Sequence, residues 1–255
     1  MSAAAATAWP RRPLQALLGE GPLAARELRL WRFPLDQPVL AHEALTATLD
    51  EAERARAARF VFEHDRRRFV VAHGMLRLLL AAMLDTAPQD LRFVLQAHGK
   101  PVLAHGAGGE ALHFNLSHTH GWGLLGVCRA AELGVDIEMA REVPQWQAIA
   151  RTNFSAAEVQ RCLEQPPARQ RDAFFATWVR KEAFIKACGT GLSMPLDAFE
   201  VNLRPEPHSS LCSIQGDASQ ARAWCVLGWQ WEPGLHAAVA LRAQDVTLTC
   251  ADVTS

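Results

Sequence analysis

The sequence predicts an α+β fold with two pseudosymmetric lobes, each built from helices packed on a small, mainly antiparallel sheet. Its 255 residues, 49% of them hydrophobic, can bury one large core or two smaller ones. Segments with helical spacing precede short segments of strand character, and the order helix, strand, loop, strand occurs twice. This weak repeat predicts a first lobe over residues 1–135 and a second over 136–255, which meet near residues 130–140.

The first half begins with a segment that has few regular features. Residues 1–30 contain several prolines and glycines, and we expect them to be loosely ordered. A helix is predicted to begin after Thr46 or Thr48, and a second helix follows Asp65. In the second helix large apolar residues recur at helical spacing, so they form one apolar face.

Short strands complete the first half. One is predicted at 92–96, and a glycine-rich stretch at 105–110 precedes another at 112–116. In the strand at 112–116 apolar and polar residues alternate, so its polar side chains share one face. The apolar segments 121–128 and 133–138 complete a meander of strands.

The second half repeats this order around one long helix. That helix is predicted over residues 172–188, where large apolar residues again recur at helical spacing. After it come a glycine-broken turn at 189–191, a strand at 199–203, a polar loop at 204–220 and strands at 223–229 and 235–241.

The bulk composition excludes several classes of protein. The net charge is −1, so no global field attracts nucleic acid or a membrane surface. The longest apolar run, Leu78–Leu84, is far too short to cross a bilayer. The 6 cysteines are widely spread with no C-x-x-C pair, which indicates reduced thiols. We expect a soluble cytoplasmic protein without nucleic-acid or membrane partners.

Positive charge is concentrated in one window of the chain. The window runs from Arg54 to Arg68 and contains several arginines but only two acidic residues, Glu63 and Asp65. Two interpretations stay open: a solvated helix face or a rim that binds an anion. The arginines are Arg54, Arg56, Arg59, Arg66, Arg67 and Arg68.

Asp136 and Glu138 lie two residues apart in the apolar strand G-V-D-I-E. Side chains at this spacing leave a strand on the same face, about 7 Å apart at Cα. Two carboxylates on a buried face repel each other and are costly to desolvate, and a hard cation such as Mg²⁺ relieves both effects. The alternative is a strand end whose acids point into water.

The long helix adds a second charged pair. Glu182 and Lys186 are four residues apart, so they share one helix face. A surface ion pair explains this spacing. The functional alternative makes Glu182 a third metal carboxylate or a proton acceptor and places Lys186 on a phosphate.

Further polar side chains end a strand or occupy a turn. Ser117 and His118 are adjacent, so their side chains diverge, and no acid is evident that would orient them as a nucleophile and base. His113, His118 and His120 fit no zinc-ligand spacing, so an ordinary turn is the plain interpretation. Lys100, in the turn tripeptide G-K-P, is expected to be exposed and able to reach a phosphate.

Taken together, five segments between about Arg56 and Leu203 resemble the Sfp-type 4′-phosphopantetheinyl transferases. Five motifs in the right order are far more specific than any one of them. They are R-F-x-x-x-x-D-x-x-R (59–68), G-K-P (99–101), F-N-L-S-H (114–118), G-V-D-I-E (134–138) and W-V-R-K-E-A-F-I-K-A-C-G-T-G-L-S-M-P-L (178–196).

The resemblance implies an activity and its partners. It implies two α+β lobes with coenzyme A and Mg²⁺, or Mn²⁺ in its place, in the cleft between them. The reaction would move the 4′-phosphopantetheine arm of coenzyme A onto a serine of an apo acyl carrier protein, or of a peptidyl or aryl carrier domain, and release 3′,5′-ADP. A single chain carries both lobes, so a monomer is expected. A metal-dependent phosphohydrolase of coenzyme A or a nucleotide, and a non-catalytic protein that binds coenzyme A or a carrier, remain alternatives.

By position, the resemblance also implies roles for single residues. Asp136, Glu138 and Glu182 match the metal carboxylates, and Glu182 also matches the proposed general base. Lys186 and Lys181 match lysines near the diphosphate of coenzyme A. The positions matching the nucleotide end and its 3′-phosphate are Arg56, Arg68, Lys100, Ser117 and His118. One residue departs from the pattern: three residues before Arg56, where other members carry a basic residue, this chain has Glu53.

Overall fold

A computed structural model describes residues 8–96, 98–104, 111–189, 191, 194–203, 209–231 and 234–255. The glycine-rich stretch predicted at 105–110 lies outside the described residues, as do Thr190 of the predicted turn and the first part, 204–208, of the predicted polar loop.

Helices and strands alternate along the described chain, and two short 3₁₀ turns occupy Pro88–Asp90 and Leu196–Ala198. The helices are α1 (Leu14–Leu18), α2 (His42–Thr48), α3 (Glu51–Ala57), α4 (Glu63–Leu84), α5 (Trp146–Asn153), α6 (Ala156–Leu163), α7 (Pro167–Cys188) and α8 (Ala218–Ala221). The strands are β1 (Arg11–Pro13), β2 (Glu27–Pro34), β3 (Phe93–Leu95), β4 (Pro101–Leu103), β5 (His113–Thr119), β6 (Trp122–Cys128), β7 (Leu133–Met139), β8 (Phe199–Val201), β9 (Leu211–Ile214), β10 (Cys225–Trp231), β11 (Leu235–Leu241) and β12 (Thr247–Thr254).

Two sheets form the centre of the molecule. One has the strand order β1-β12-β2-β6-β5 and the other the order β10-β11-β7, while β3 with β4 and β8 with β9 form separate pairs. The larger sheet packs on α4 through one face and on the smaller sheet through the other, and α7 covers the outer face of the smaller sheet. The result is a layered α+β architecture, and the predicted fold class is confirmed.

Side-chain alternation explains how a sheet can be covered on both faces. In β2, Trp31 and Phe33 belong to the core on the α4 side, whereas Leu28 and Leu30 face the smaller sheet. Every residue of the central strand β11 is buried, which is why Leu235–Leu241 is apolar almost throughout instead of alternating.

The expectation that residues 1–30 are loosely ordered is wrong for the part that the structure describes. β2 begins at Glu27 and pairs with both β6 and β12, and Leu28 and Leu30 are fully buried. Prolines and glycines dominate this segment locally, but burial between two layers outweighs those local signals.

Strand pairing links the two halves of the chain. β7, which begins at Leu133, pairs with β11 in the smaller sheet. β12 returns from the end of the chain to pair in parallel with β2 in the larger sheet, Cys250 opposite Leu30. The last strand therefore belongs to the sheet of β2, because pairing between distant strands depends on tertiary packing, and the division into two lobes stays a prediction.

The long helices were predicted well. α4 and α7 contain the predicted helical segments, each beginning a few residues earlier than expected. The Asp50 side chain caps α3 by accepting a hydrogen bond from the Glu53 backbone N–H, and the Glu53 side chain accepts one from the Asp50 backbone N–H. Among the described residues, no helix combines the length and the apolar character needed to cross a membrane.

Candidate active site

The candidate site lies where edge strands of the two sheets meet. β5 borders the larger sheet and β7 borders the smaller one, and side chains of β5 bridge the gap. Asn115 Oδ1 accepts a hydrogen bond from the Val135 backbone N–H at 2.8 Å, and Ser117 Oγ donates to Asp136 Oδ1 at 3.0 Å. Because side chains alternate along a strand, Asn115, Ser117 and Thr119 share one face of β5, and all three contact β7.

Helix α7 approaches β7 closely from the other side. A Cβ at Gly134 would overlap the Ala183 carbonyl oxygen and the Ala187 backbone nitrogen. The glycine of G-V-D-I-E therefore lets the helix pack directly on the strand, and this contact carries Glu182 and Lys186 to the face that bears Asp136.

Asp136 is the most enclosed carboxylate of the site. It is only 5% exposed, and its Oδ1 accepts hydrogen bonds from Ser117 and from Lys186 Nζ, the latter at 2.6 Å. Its Oδ2 is buried and has no hydrogen-bond partner among the described residues. A buried carboxylate oxygen without a partner is costly and is suited to bind a further donor or a cation.

Lys186 does not pair with Glu182. Its ammonium lies instead between Asp136 and Ser117, with the Ser117 hydroxyl 3.3 Å away. Among the described residues, the Glu182 carboxylate has no hydrogen-bond or ion-pair partner. Burial and the negative charges of Asp136 and Glu138 raise the pKa of Glu182 above its ordinary value of 4.5, against the opposing charge of Lys186. The interpretation of a simple ion pair within one helix is therefore wrong.

Glu138 completes the acidic face of β7 and is more accessible. Its carboxylate accepts hydrogen bonds from Thr119 Oγ1 and from Arg141, both at 3.2 Å. In the part of the chain that the structure describes, no three His, Cys, Asp or Glu side chains gather closely enough to hold a metal ion. The chemistry of the donors still fits a hard cation, since three carboxylates repel one another here and Asp136 Oδ2 is free.

His118 points away from Ser117 to the exposed side of β5. Desolvation by its surroundings and the charges of His73, Lys186 and Arg68 lower the pKa of His118. Arg68 is held by a bidentate ion pair to Asp36, with Nε 2.7 Å from Oδ1 and Nη2 2.8 Å from Oδ2. Arg68 and Lys186 thus both contribute to the electrostatic environment of His118.

The arginine window divides into two parts. Arg66 and Arg67 both pair with Glu63, so this portion is a solvated helix face. Arg56 is exposed and lies over the ring of Phe69, which stacks on His73. It therefore lies on the side of α4 that carries His73, near His118.

Lys100 is more enclosed than expected for a turn. Its side chain is only 10% exposed, and its ammonium donates to Glu132 at 3.3 Å and to the Leu133 carbonyl oxygen at 3.0 Å. These contacts attach the β3–β4 hairpin to the start of β7. The expectation of a freely exposed lysine is corrected by this packing.

Lys181 is not part of the assembled site. Its side chain is fully buried, and its ammonium donates to the carbonyl oxygens of Leu196 and Phe199 and pairs with Glu158 at 2.8 Å. Adjacent positions on a helix point about 100° apart, so Lys181 and Glu182 cannot serve the same surface. The implied contact between Lys181 and the diphosphate is corrected: this lysine stabilises the interior of the second lobe.

Glu53, the departure from the family pattern, has a structural role. Its carboxylate pairs with His73 at 2.8 Å and with Arg77, which is fully buried and also pairs with Asp50. Although burial opposes it, the hydrogen bond from His73 and the charges of His73 and Arg77 hold the pKa of Glu53 below its ordinary value. A basic residue here would face Arg77, which explains why an acid is present.

Sequence reasoning missed several residues of this region. Thr119 follows Ser117 by two positions, so the strand period could have identified it as the partner of Glu138. Asp36, His73 and Arg141 are distant in sequence or lie in loops and helices without a motif, and only their contacts with Arg68, Glu53 and Glu138 reveal them.

Comparison with known proteins gives a consistent result. Residues 132–241 match the 4′-phosphopantetheinyl transferase superfamily, and residues 34–129 match the N-terminal region of 4′-phosphopantetheinyl transferase. The chain is 34% identical to 4′-phosphopantetheinyl transferase HetI of Nostoc sp., over 88% of this chain and 95% of that protein. It is 31% identical to a 4′-phosphopantetheinyl transferase of Bacillus subtilis, over 72% of this chain and 80% of that protein. It is also 29% identical to human L-aminoadipate-semialdehyde dehydrogenase-phosphopantetheinyl transferase, over 62% of this chain and 54% of that protein.

Proposed function

Because the chain belongs to the 4′-phosphopantetheinyl transferase superfamily, we propose that the cluster of Asp136, Glu138, Glu182 and Lys186 is its catalytic centre. Members transfer phosphopantetheine from coenzyme A to carrier proteins, and this chain has that activity. The observation that carries the assignment is the buried Asp136, whose Oδ1 binds Lys186 while its Oδ2 has no partner in the part of the chain that the structure describes.

Asp136, Glu138 and Glu182 would hold Mg²⁺, or Mn²⁺ in its place, through carboxylate oxygens. Bound there, the ion would neutralise the diphosphate of coenzyme A and the charge that develops on the leaving 3′,5′-ADP. The carboxylates supply the hard oxygen donors that such ions prefer, and their mutual repulsion favours a cation between them.

Lys186 and Glu182 act in the transfer itself. Lys186 carries its positive charge beside Asp136, where it stabilises the negative diphosphate oxygens as the bond to the leaving nucleotide breaks. Glu182 would accept the proton of the carrier's serine hydroxyl through the carboxylate oxygen that does not bind the ion, which is the general-base role that the resemblance implies for this position. The serine oxygen then forms the new bond to the phosphate of the phosphopantetheine arm.

The nucleotide end of coenzyme A is assigned to the surface around His118. Arg56, Arg68 and Lys100 supply positive charge for its phosphates, and guanidinium groups bind phosphate oxygens in pairs. Ser117 lies deeper than the others, so we assign it to hold Asp136 and Lys186 in place at this end of the site.

The acceptors that we propose are an apo acyl carrier protein or a peptidyl or aryl carrier domain. We further propose a cytoplasmic monomer without nucleic-acid or membrane partners, since one chain supplies residues from both sheets to the site. Light scattering of the purified protein tests the oligomeric state.

The transferase reaction is tested by incubating the protein with coenzyme A, Mg²⁺ and a panel of apo-carriers. Intact-mass measurement should show addition of one phosphopantetheine to the acceptor serine. A phosphohydrolase would instead release 3′,5′-ADP without any carrier, and a binding protein would give neither product. Either of those results would overturn the proposed use of this site.

A further inference from the structure

Asp36 is an acid that no motif singles out, yet it determines the placement of Arg68. It follows β2, and both of its carboxylate oxygens accept hydrogen bonds from Arg68 on α4. The side-on pair uses Nε and Nη2 at 2.7 and 2.8 Å. This geometry fixes the plane of the guanidinium group as well as its position.

The Asp36 carboxylate packs against the turn between β5 and β6. Gly121 in that turn has φ +83°, and a Cβ there would overlap Asp36 Oδ2 and lie 3.1 Å from Asp36 Cγ. The backbone N–H of Leu35 donates to the Gly121 carbonyl oxygen at 2.7 Å, which attaches the segment to the same turn. Asp36 thus rests on the turn that follows His118 and Thr119.

The remaining edge of Arg68 is free to bind another anion. A guanidinium has five N–H donors, and the pair with Asp36 uses two of them. Within the described ranges no second acceptor contacts the Arg68 side chain. Asp36 holds Arg68 and lies against the turn that follows His118, so the free donors are assigned to the nucleotide end of coenzyme A, where the resemblance also places Arg68 and His118.

We propose that Asp36 is a positioning residue, which holds Arg68 so that its free edge meets the 3′-phosphate of coenzyme A. This inference rests on the proposed function, because it takes the assignment of Arg68 to the nucleotide end as given. The Asp36–Arg68 pair is too exposed to add much to the stability of the fold, so its effect is on the orientation of Arg68. A long side chain that is already oriented loses less conformational freedom when the phosphate binds.

The sign of the expected effect separates positioning from simple electrostatics. Asp36 is an anion close to a site for an anion, so by charge alone its neutralisation should strengthen the binding of coenzyme A. Positioning predicts the reverse, since Asp36→Asn would release Arg68 from its fixed orientation. Glu63→Gln is the matched control: it removes one charge from the same arginine-rich helix but frees Arg66 and Arg67 instead.

The test is calorimetric titration of the full chain with coenzyme A and with dephospho-coenzyme A, which lacks the 3′-phosphate. We expect Asp36→Asn to weaken the binding of coenzyme A by about 3- to 10-fold and to leave the affinity for dephospho-coenzyme A unchanged. Glu63→Gln should leave both affinities and their ratio as in the wild type. In transfer assays Asp36→Asn should raise KM for coenzyme A with kcat nearly unchanged.

A double-mutant cycle identifies the residue through which Asp36 acts. Arg68→Ala should abolish the discrimination between the two ligands, and Asp36→Asn should then add no further loss. Equal or tighter binding of coenzyme A by Asp36→Asn, or the same loss with Arg68 removed, would overturn the proposal. Phosphopantetheine transfer by the wild-type chain is assayed separately, so a failure of the positioning role is distinguishable from a failure of the proposed function.

Discussion

Lys186 Nζ lies 2.6 Å from Asp136 Oδ1, so the lysine of helix α7 pairs with a strand carboxylate and not with Glu182 one turn away. Both oxygens of the neighbouring Glu182 carboxylate remain without a protein partner in the described part of the chain. The arrangement leaves one carboxylate charge-compensated and another free within the same cluster.

The first prediction concerns metal dependence. Chelation should abolish transfer, and added Mg²⁺ or Mn²⁺ should restore it, because the proposed site would bind the ion through three carboxylates. Asp136→Asn should reduce kcat/KM by at least about 100-fold at any metal concentration, a loss of the size expected for a group that stabilises transition-state charge. Asp245→Asn, at an exposed loop position, is the control and should behave as the wild type. Full metal-dependent activity in Asp136→Asn would contradict the assignment.

The second prediction concerns Glu182 as the general base. Glu182→Gln keeps the size of the side chain and removes its charge, so kcat should fall by roughly 100-fold or more. Glu142→Gln, which changes an exposed glutamate in the same way, should retain full turnover. Single-turnover measurements with saturating coenzyme A and carrier separate this chemical step from product release. A Glu182→Gln enzyme within a few-fold of wild type would exclude Glu182 as the base.

The third prediction is the dependence of stability on pH at the same residue. Because the pKa of Glu182 is raised in the folded protein, ionising it costs stability, and this cost is present above the raised pKa and absent below about 4.5. Without metal, Glu182→Gln should therefore be more stable than wild type at pH 7. This difference in unfolding free energy should disappear as the pH falls toward the ordinary pKa of a glutamate side chain. Urea unfolding at several pH values measures it. A constant difference across the range would contradict the assigned pKa shift.

The fourth prediction contrasts two lysines of one helix. Lys181→Met leaves Glu158 buried without its partner and should cost about 3–5 kcal/mol of unfolding free energy. Lys186→Met also takes the cation away from a buried carboxylate, Asp136, so it should lower stability as well, but unlike Lys181→Met it should in addition lower kcat of the folded enzyme. Thermal unfolding and steady-state kinetics of both variants provide the comparison, each serving as the control for the other. A stable Lys181→Met protein with a specific loss of coenzyme A binding would show that Lys181 contributes to the coenzyme A site.

The fifth prediction concerns Glu53. Glu53→Lys, which restores the basic residue of the family pattern, should destabilise the protein by about 3–5 kcal/mol because it places a cation against the buried Arg77. Glu51→Lys makes the same charge change at an exposed position of α3 and should cost far less. Denaturant unfolding compares the two. Equal stability of the two variants would show that Glu53 does not support Arg77.

The amino-acid sequence by itself determined the family, the order of its motifs and the elements that carry them. The two long helices and the alternating faces of β5 and β7 follow from periodicities of 3.6 and 2, which are local properties of the chain. These periodicities also placed Asp136 with Glu138 and Glu182 with Lys186 on common faces before any packing was known.

Only the tertiary structure decided which of these side chains meet. Nothing local indicates that Lys186 reaches across to Asp136, that Lys181 lies in the interior, or that Asp36 holds Arg68. The same holds for β2 and β12, whose pairing at the centre of the larger sheet joins segments more than 200 residues apart. The helix and strand periods determine the face on which a side chain lies. Its partner depends on how the layers of the fold pack, because packing energies come from contacts between residues that are distant in sequence.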